Sequence, residues 1–579
     1  TYTDSKGESS IETFEYNKFN QVKKYIDRDG FEVFYGYDDK GNLNYILKGN
    51  EYVFQGWYDG DLLKKSIDAL GVVKVYDHDK YGNIKSVITV TSNPKEEIKE
   101  EYEYDERNRI KYHKDAEGNE TTYVYTNKTR TETYSNGLVR TYTYNNRKDL
   151  VEIREEDPIL KKVRITKLKY DKKHNLLEVT DPAIKDKNGN SVPLEKYTYR
   201  GNNELESVTY SDGKDSWKTT YEFDGAGRVI GKKTEKNDSE SSYQEKYEYP
   251  EIETVQNWKK VFTGEVSGVR YDYDDWGRVK AVTNALGETN ERVLSAAGRT
   301  RKEASSHGGS YIYEYINGNL TGLGEENKKQ VKTEYYADGT VKAVTDRLGN
   351  KTEYFYNTQG LPDRTVSKEN TTWYTYDKAG RITGQYITEP DAISYKSNVD
   401  SYITYTYKDN GRTVVATYGG LYSKTMKLNA FGEVVELIDG EGNTVKYEYD
   451  CLGRQSAVYD GYNKATKYEY NALGLVSKVT YRDSTSDHYE YDHLGNVTKI
   501  TDAEGVKAEY SYDSAGRLIS AKERGSALTE YTYDEIARVT QVKIADTVVE
   551  KYEYTPRGRK TTVTDGNGNK YQYNYDAFG

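Results

Sequence analysis

KYEYDCLGRQSAVYDGYNKATKYEYNALGLVSKVTYRDSTSDHYEYDHLGNVTKI, from Lys446 to Ile500, writes Tyr-x-Tyr, then Asp/Asn-x-x-Gly, and then both again. The second tyrosine of each copy is Tyr449, Tyr470 or Tyr491. The same place recurs at Tyr512, Tyr533, Tyr554 and Tyr575, so each step is 21 residues. Backwards, the frame passes through Leu428 to Tyr407. Self-similarity at a fixed period marks a repeat array, whose units stack on their neighbours and need no separate cores. The 579 residues are therefore read as one array rather than as several globular domains.

Alternation within Lys446–Asp450 puts Tyr447 and Tyr449 on one face of a strand and Lys446, Glu448 and Asp450 on the other. The Asp-x-x-Gly that follows is turn chemistry. Its carboxylate accepts hydrogen bonds from backbone two residues on, and its glycine takes the positive φ of a type I turn with a bulge. Gly453, Gly495 and Gly516 hold that place. A second turn falls at half-period, since Asp439 and Asp450, Asp502 and Asp513, and Asp565 and Asp576 are each 11 residues apart. One period thus holds two strands and two turns. No stretch keeps a 3.6-residue period, and glycine recurs too often for helix. The predicted class is all-β, a long antiparallel meander of 21-residue hairpin repeats.

Composition says what holds such a meander together. Hydrophobic residues make up 35% of the chain, but 62 of them are tyrosine, and mean hydropathy is -0.98. Without tyrosine, roughly a quarter of the chain is apolar, near the level at which chains fail to fold. Tyrosine must supply much of the order, its ring buried and its hydroxyl wet. One cysteine, Cys451, excludes an internal disulfide and fits an exported bacterial protein. A net charge of -11 with interspersed Lys and Glu excludes the basic stripe of a nucleic-acid binder. No apolar run is long enough to span a membrane as a helix.

Two strands per repeat give roughly 10 Å of sheet, and on the order of 250 Å over the whole chain. A twisted sheet that wide curls, spirals or closes. Aliphatic residues are too few to pack a second sheet along it. The expected product is a single-layer wall wound round a hollow, a spiral shell or partial barrel. Its tyrosines are expected to stack ring on ring from repeat to repeat, at roughly 0.2–1 kcal/mol per pair.

The array is most regular over 273–579, where positions 273, 294, 315, 336, 356, 376, 407, 428 and 449 step by 20 or 21 apart from one step of 31. That step crosses ITEPDAISYKSNVD, read as an extended hairpin loop. Residues 1–270 carry the motif more loosely, as YGYDDKGN at Tyr35, YEYDERNR at Tyr102 and YEFDGAGR at Tyr221. EEDPILKK and DPAIKDKNGNSVP, between Asp149 and Tyr199, are read as insertions, first as loops that decorate hairpins and, as the alternative, as carriers of contacts to a neighbour. No Pro/Ser-rich linker divides the chain. It starts at Thr1 and stops inside a motif, and is read as an excised piece of something longer.

The best copies are YDYDDWGR (Tyr271, Tyr273, Asp274, Gly277, Arg278), YTYDKAGR (Tyr374, Tyr376, Asp377, Gly380, Arg381), YEYDCLGR (Tyr447, Tyr449, Asp450, Gly453, Arg454) and YSYDSAGR (Tyr510, Tyr512, Asp513, Gly516, Arg517). This pattern resembles the YD, or Rhs, repeat of bacterial Rhs and wall-associated polymorphic toxins, of the B and C components of Tc toxin complexes, and of animal teneurins. The resemblance implies a β-shell spiralling round a cavity. In the toxins the cavity holds a C-terminal effector; in teneurins the shell is a scaffold for extracellular adhesion. The toxins follow their repeats with a D-P-x-G-type self-cleavage segment. Here Asp157-Pro158 and Asp181-Pro182 lack the glycine and lie in the wrong half, so no protease residues are carried over.

Other chemistry reads as structural. Carboxylate pairs such as Asp565 and Asp576 recur at every turn. DGNGN at Asp565 resembles a calcium loop but has Lys570 where that loop needs glycine. His488 and His493 lack metal-ligand spacing. SHGG at Ser306 resembles an oxyanion loop without a nucleophile motif, and Cys451 has no evident activating partner. The arginine after the turn glycine (Arg228, Arg278, Arg381, Arg454, Arg517) is expected over a Tyr ring or paired with the turn Asp of an adjacent repeat. The expected function is a non-catalytic shell or scaffold of a secreted or surface protein, without catalytic, cofactor or metal residues. Its expected partners are a cap and a C-terminal effector of the same polypeptide. The alternative is an extracellular adhesion or carbohydrate-binding module that engages cell-wall or surface glycan; an enzyme is disfavoured.

Overall fold

The structure, a computed structural model, describes residues 2–3, 9–92, 97–185, 188–212, 215–225, 227–236, 242–248, 257–262, 265–274, 278–283, 287, 289–305, 310–325, 330–397, 399–513, 516–534, 537–554 and 559–574. Among them there is no α-helix, only a 3-10 turn at Asp409–Gly411. Each strand between Thr13–Tyr16 and Lys570–Gln572 pairs antiparallel with the strand before it and the strand after it, and these two end strands pair on one side only. The pairings run in chain order, and none joins the first strand to the last, so the sheet is one continuous ribbon with two edges and not a closed barrel. Among the described residues the strands pack chiefly on their sequence neighbours, which leaves the wall one sheet thick.

The repeat is built as its letters dictate. Thr444–Tyr449 keeps Lys446 and Glu448 exposed while Tyr447 and Tyr449 are half-buried. Tyr447 faces Val458 on the next strand, as Tyr468 faces Val479 and Tyr489 faces Ile500. On the opposite face Ala457 sits between Glu448 and Lys467 and is buried under their stems. Tyr449 then pairs out of step with Gln455, the bulge that the turn requires. In that turn Gly453 donates to the Asp450 carbonyl at 3.1 Å and Asp450 donates to the Arg454 carbonyl at 2.9 Å. Gly453 and Gly516 have φ of 81° and 79°, as the motif predicts. At one place the frame sits a residue earlier than the spacing suggests: Tyr336 opens the turn in the Asp position, and Tyr335 ends the strand.

The two kinds of turn lie at opposite edges of the ribbon: motif turns after Tyr-x-Tyr, and half-period turns between them. The ribbon winds so that half-period turns of the first winding meet motif turns of the second. Asp29 meets Ser295, Glu117 meets Lys378, Asp157 meets Arg412 and Ala430, Arg164 meets Glu433, and Trp217 meets Asp492. The partners in this seam are 255 to 294 residues apart in the chain. One winding therefore takes about two dozen strands, which at ~4.8 Å each give a circumference of roughly 110 Å and a diameter of roughly 35 Å. That is wide enough for a hollow, and the 579 residues make roughly two windings.

Candidate functional site

The four motif copies build one device. In the third copy, Asp450 Oδ1 accepts the Leu452 and Arg454 amides, and Asp450 Oδ2 accepts Arg454 Nε at 2.7 Å. The Arg454 guanidinium lies 4.5 Å from the ring centre of Tyr470, in the following repeat. Arg381 does the same with Asp377 and Tyr407, with Gly380 at φ 80°, and Arg517 with Asp513 and Tyr533. Arg228 pairs with Asp224 and Arg278 with Asp274; Gly277 lies outside the described residues. The expected pairing with the turn Asp of an adjacent repeat is thus corrected. The arginine is held by the carboxylate of its own turn, four residues back; Arg381, Arg454 and Arg517 reach the neighbour through an aromatic ring, and Arg278 reaches it through the Ser295 and Ala296 carbonyls.

That geometry also corrects the ring ladder. Tyr449, Tyr470, Tyr491 and Tyr512 do share one face at equivalent points. What links them is the hydroxyl, which donates to the carbonyl 15 residues earlier: Val434, Gln455, Val476 and Val497, at 2.8, 2.6, 2.5 and 2.9 Å. In the copies that carry the motif arginine, a guanidinium rather than a second ring covers the tyrosine. Burial raises the pKa of all four phenols, which suits hydroxyls that must stay protonated to donate. Tyr271, Tyr374 and Tyr510 precede their turns in the same way, on the strands Glu265–Tyr273, Thr371–Tyr376 and Gly505–Tyr512.

The seam was not foreseen, and it is the most built-up part of the molecule. Asp157 is fully buried and accepts from the Ile159 and Leu160 amides of its own hairpin, from the Ala430 amide at 2.7 Å and from Arg412 Nη2 at 2.7 Å. Asp29 accepts from Ser295 Oγ, the Ala297 amide and Arg299 Nη1, and Asp27 from Arg299 Nη2. Burial works against the charge on Asp29 and Asp157, but the donated hydrogen bonds and arginines win and hold both carboxyls below the ordinary range. EEDPILKK therefore does not merely decorate its hairpin, because its Asp157 clasps the next winding. The sequence marks the seam only in part. Two motif turns that enter it carry small tips, Ala296 and Ala430, although Lys378 enters it as well.

Among the described residues the candidate groups are not brought together. Among the described residues no group of His, Cys, Asp and Glu has metal-binding geometry. Asp565 accepts from the Asn567 and Asn569 amides and from Asn569 Nδ2, as a turn carboxylate. Asp576 and Ser306 lie outside the described residues. His488 is exposed on a strand, and His493 sits in a motif turn where burial lowers its pKa. Burial, with Asp181 and Asp450 beside it, pushes the Cys451 thiol up to about 11, so it stays protonated at neutral pH.

A wall one strand thick, wound on itself and stitched by turns, defines a β-shell protein. The family model described as RHS Repeat matches residues 470–507 and 491–528. The chain carries Rhs repeats over those residues, and the same motif frame continues outside them. No curated protein matches it. The crystal structure of TcdB2-TccC3-TEV is similar over 97% of this chain and 36% of that one, at 10% identity and a TM-score of 0.51. TcdB2-TccC3 without its hypervariable C-terminal region matches at 13% identity and a TM-score of 0.39, over 97% of this chain and 35% of that one. The likeness to the first of these is one of fold, and this chain spans about a third of the length of both.

Proposed function

We propose that the chain is one continuous, non-catalytic stretch of wall in an exported YD-repeat protein, secreted or displayed at the cell surface, and that the wall encloses a C-terminal effector and a cap supplied by the same polypeptide. The observation that carries this reading is the seam. Buried clasps such as Asp157–Arg412 shut the gap between windings, and a mere adhesive ribbon has no need of a shut wall. The motif residues Tyr449, Asp450, Gly453 and Arg454, with their counterparts, serve the wall and not a reaction. The glycan-binding alternative draws on exposed tyrosines at turn tips, such as Tyr81 and Tyr462, whose rings offer flat faces to a sugar.

Protease protection tests the reading. The natural gene is expressed through its 3′ end, and digestion of the segment after Gly579 is followed with the seam intact and with Asp157→Lys. Enclosure expects slow digestion that the substitution speeds. Equal, fast digestion in both removes the enclosing role, and retention on cell-wall polymer in a pull-down would favour the alternative.

A further inference from the structure

We infer that the face of the wall opposite the motif tyrosines carries a binding site for a neutral polysaccharide strand, built as a row of rings that crosses the ribbon from Phe355 to Tyr402. This goes beyond the shell reading and holds with or without a cargo. The row lies on the face of the ribbon, on strands that are paired on both sides.

The array's own pattern exposes the site. In regular repeats, successive register partners on this face read Glu448, Ala457, Lys467, Thr480 and Ser486. The equivalent line through the strands Lys351–Tyr356, Pro362–Val366, Thr371–Tyr376, Ile382–Thr388 and Val399–Lys408 reads Phe355, Arg364, Trp373, Tyr386 and Tyr402. Every small or polar letter is exchanged for a ring or a guanidinium. Folding does not ask for this, because the motif tyrosines still order the other face: Tyr356 and Tyr407 donate to the Val341 and Ile382 carbonyls at 3.0 and 2.9 Å.

The row is held in place before any ligand arrives. The Arg364 guanidinium lies 4.1 Å from the ring centre of Phe355 and 5.1 Å from that of Trp373. Tyr386 and Tyr402 stack at 5.7 Å, and Tyr395, from the long loop after Thr388, joins Tyr386 at 4.8 Å. Trp373 Nε1 donates to Thr388 Oγ1 at 3.1 Å, and Thr388 is fully buried. Gly384 stands where the regular repeat buries Ala457. A Cβ at Gly384 would come 2.6 Å from the Tyr386 ring, so only glycine seats that ring. Aromatic groups fixed in this way lose little freedom on binding.

The surroundings select the ligand. The rings are half-buried rather than covered, and the phenols of Tyr386, Tyr395 and Tyr402 set hydroxyls among them. Arg364 is already neutralised by Asp363 at 2.8 Å. Glu389, Asp391 and Asp400 are exposed around the loop, which turns an anionic polymer away. Apolar ring surface edged with hydroxyls matches the C–H faces and hydroxyls of a sugar. Four strand spacings give the row a length of roughly 19 Å, which suits a chain of sugars better than a single one.

Native electrophoresis of the purified 579-residue chain tests this, in gels that contain hydroxyethyl cellulose, a mixed-linkage β-glucan or glycol chitin. At least one of these neutral polymers should retard the chain, equally at low and high salt. Phe355→Glu with Trp373→Lys writes in the letters the array itself carries at Glu448 and Lys467, so the circular dichroism spectrum should stay unchanged. Affinity should fall about tenfold or more, the scale for losing an aromatic anchor. Trp373→Phe should keep most of the binding. Tyr402→Ser alone should weaken it as well, which covers misfolding of the double variant. Tyr462→Ser, on an exposed turn tip, should change nothing. No retardation by any of the three polymers, retardation by heparin only, or retardation that the double variant keeps would overturn the inference. So would loss of binding with Tyr462→Ser in place of the row variants. Failure here leaves enclosure standing, since protease protection reads that separately.

Discussion

Asp157 and Arg412 stand 255 residues apart in the chain and 2.7 Å apart in space, with no surface of Asp157 exposed. The pair closes the wall where strand pairing does not. Removing the carboxylate leaves a nearly buried guanidinium and the Ala430 amide without their acceptor, and breaking a buried pair costs about 3–5 kcal/mol. Asp157→Ala should therefore lower the urea midpoint markedly. Arg524→Ala, which breaks the more exposed pair with Asp502, should barely move that midpoint. Similar losses in the two variants would mean that the seam does not carry the shell.

Acid should act through the same clasps. The carboxyls of Asp29 and Asp157 lie below their ordinary range in the folded chain, so their contribution is fully present above the unfolded value of about 4 and is lost as pH falls through the lower folded value. The shell should hold through mildly acidic pH and loosen only under strongly acidic conditions. Asp29→Asn with Asp157→Asn should flatten that acid limb while lowering stability at neutral pH, as read by denaturant melts at stepped pH.

At the alkaline end the sign reverses. The phenols of Tyr449, Tyr470, Tyr491 and Tyr512 are raised by burial, so their contribution is present below the unfolded value of about 10 and is lost as pH rises toward the folded value. Phenolate absorbance and loss of β-sheet signal should rise together above that pH. Tyrosines that ionise near 10 with the fold intact would contradict hydroxyl donation as a source of order.

Strand faces and turns were legible because they are local. A period of two separates Tyr447 from Glu448, and a left-handed residue is demanded at Gly453 whatever surrounds it. The winding was not legible in its detail. Its circumference is set by a small twist per strand pair, summed over about two dozen strands, so no local letter announces that Asp157 will find Arg412. The motif arginine was half-read: its carboxylate and its ring were both named, but the guanidinium reaches its own turn at i−4 more cheaply than a neighbour's.

Gly453→Val should destabilise the hairpin by more than about 1 kcal/mol, because a β-branched residue resists a φ of 81°. A side chain there also meets the seam, with Glu433 Oε1 2.9 Å from the added Cβ. Gly432, in the neighbouring motif turn, has a φ of 85° with open space around it. Gly432→Val should show the backbone cost alone, and the difference between the two in thermal melts measures the crowding at the seam.

Tyr449 separates ring from hydroxyl. Its hydroxyl donates to the Val434 carbonyl at 2.8 Å, and its ring sits half-buried on the face that also holds Tyr447. Tyr449→Phe keeps the ring and removes one donor from a partly wetted carbonyl, so it should cost about 0.5–1.5 kcal/mol. Tyr449→Ala removes the ring as well and should cost about 2–4 kcal/mol, the scale for losing a large side chain from a packed site. Distributed nearest-neighbour stability lets the array survive either change, with local opening confined to the strands beside residue 449. Hydrogen exchange on Val434–Ile438 and Thr444–Tyr449 reads that opening directly. If Phe and Ala cost the same, the hydroxyl is the whole contribution and the rings add nothing. If Phe costs nothing, the hydroxyl ladder is an ornament, and burial of aromatic area alone orders this polar chain.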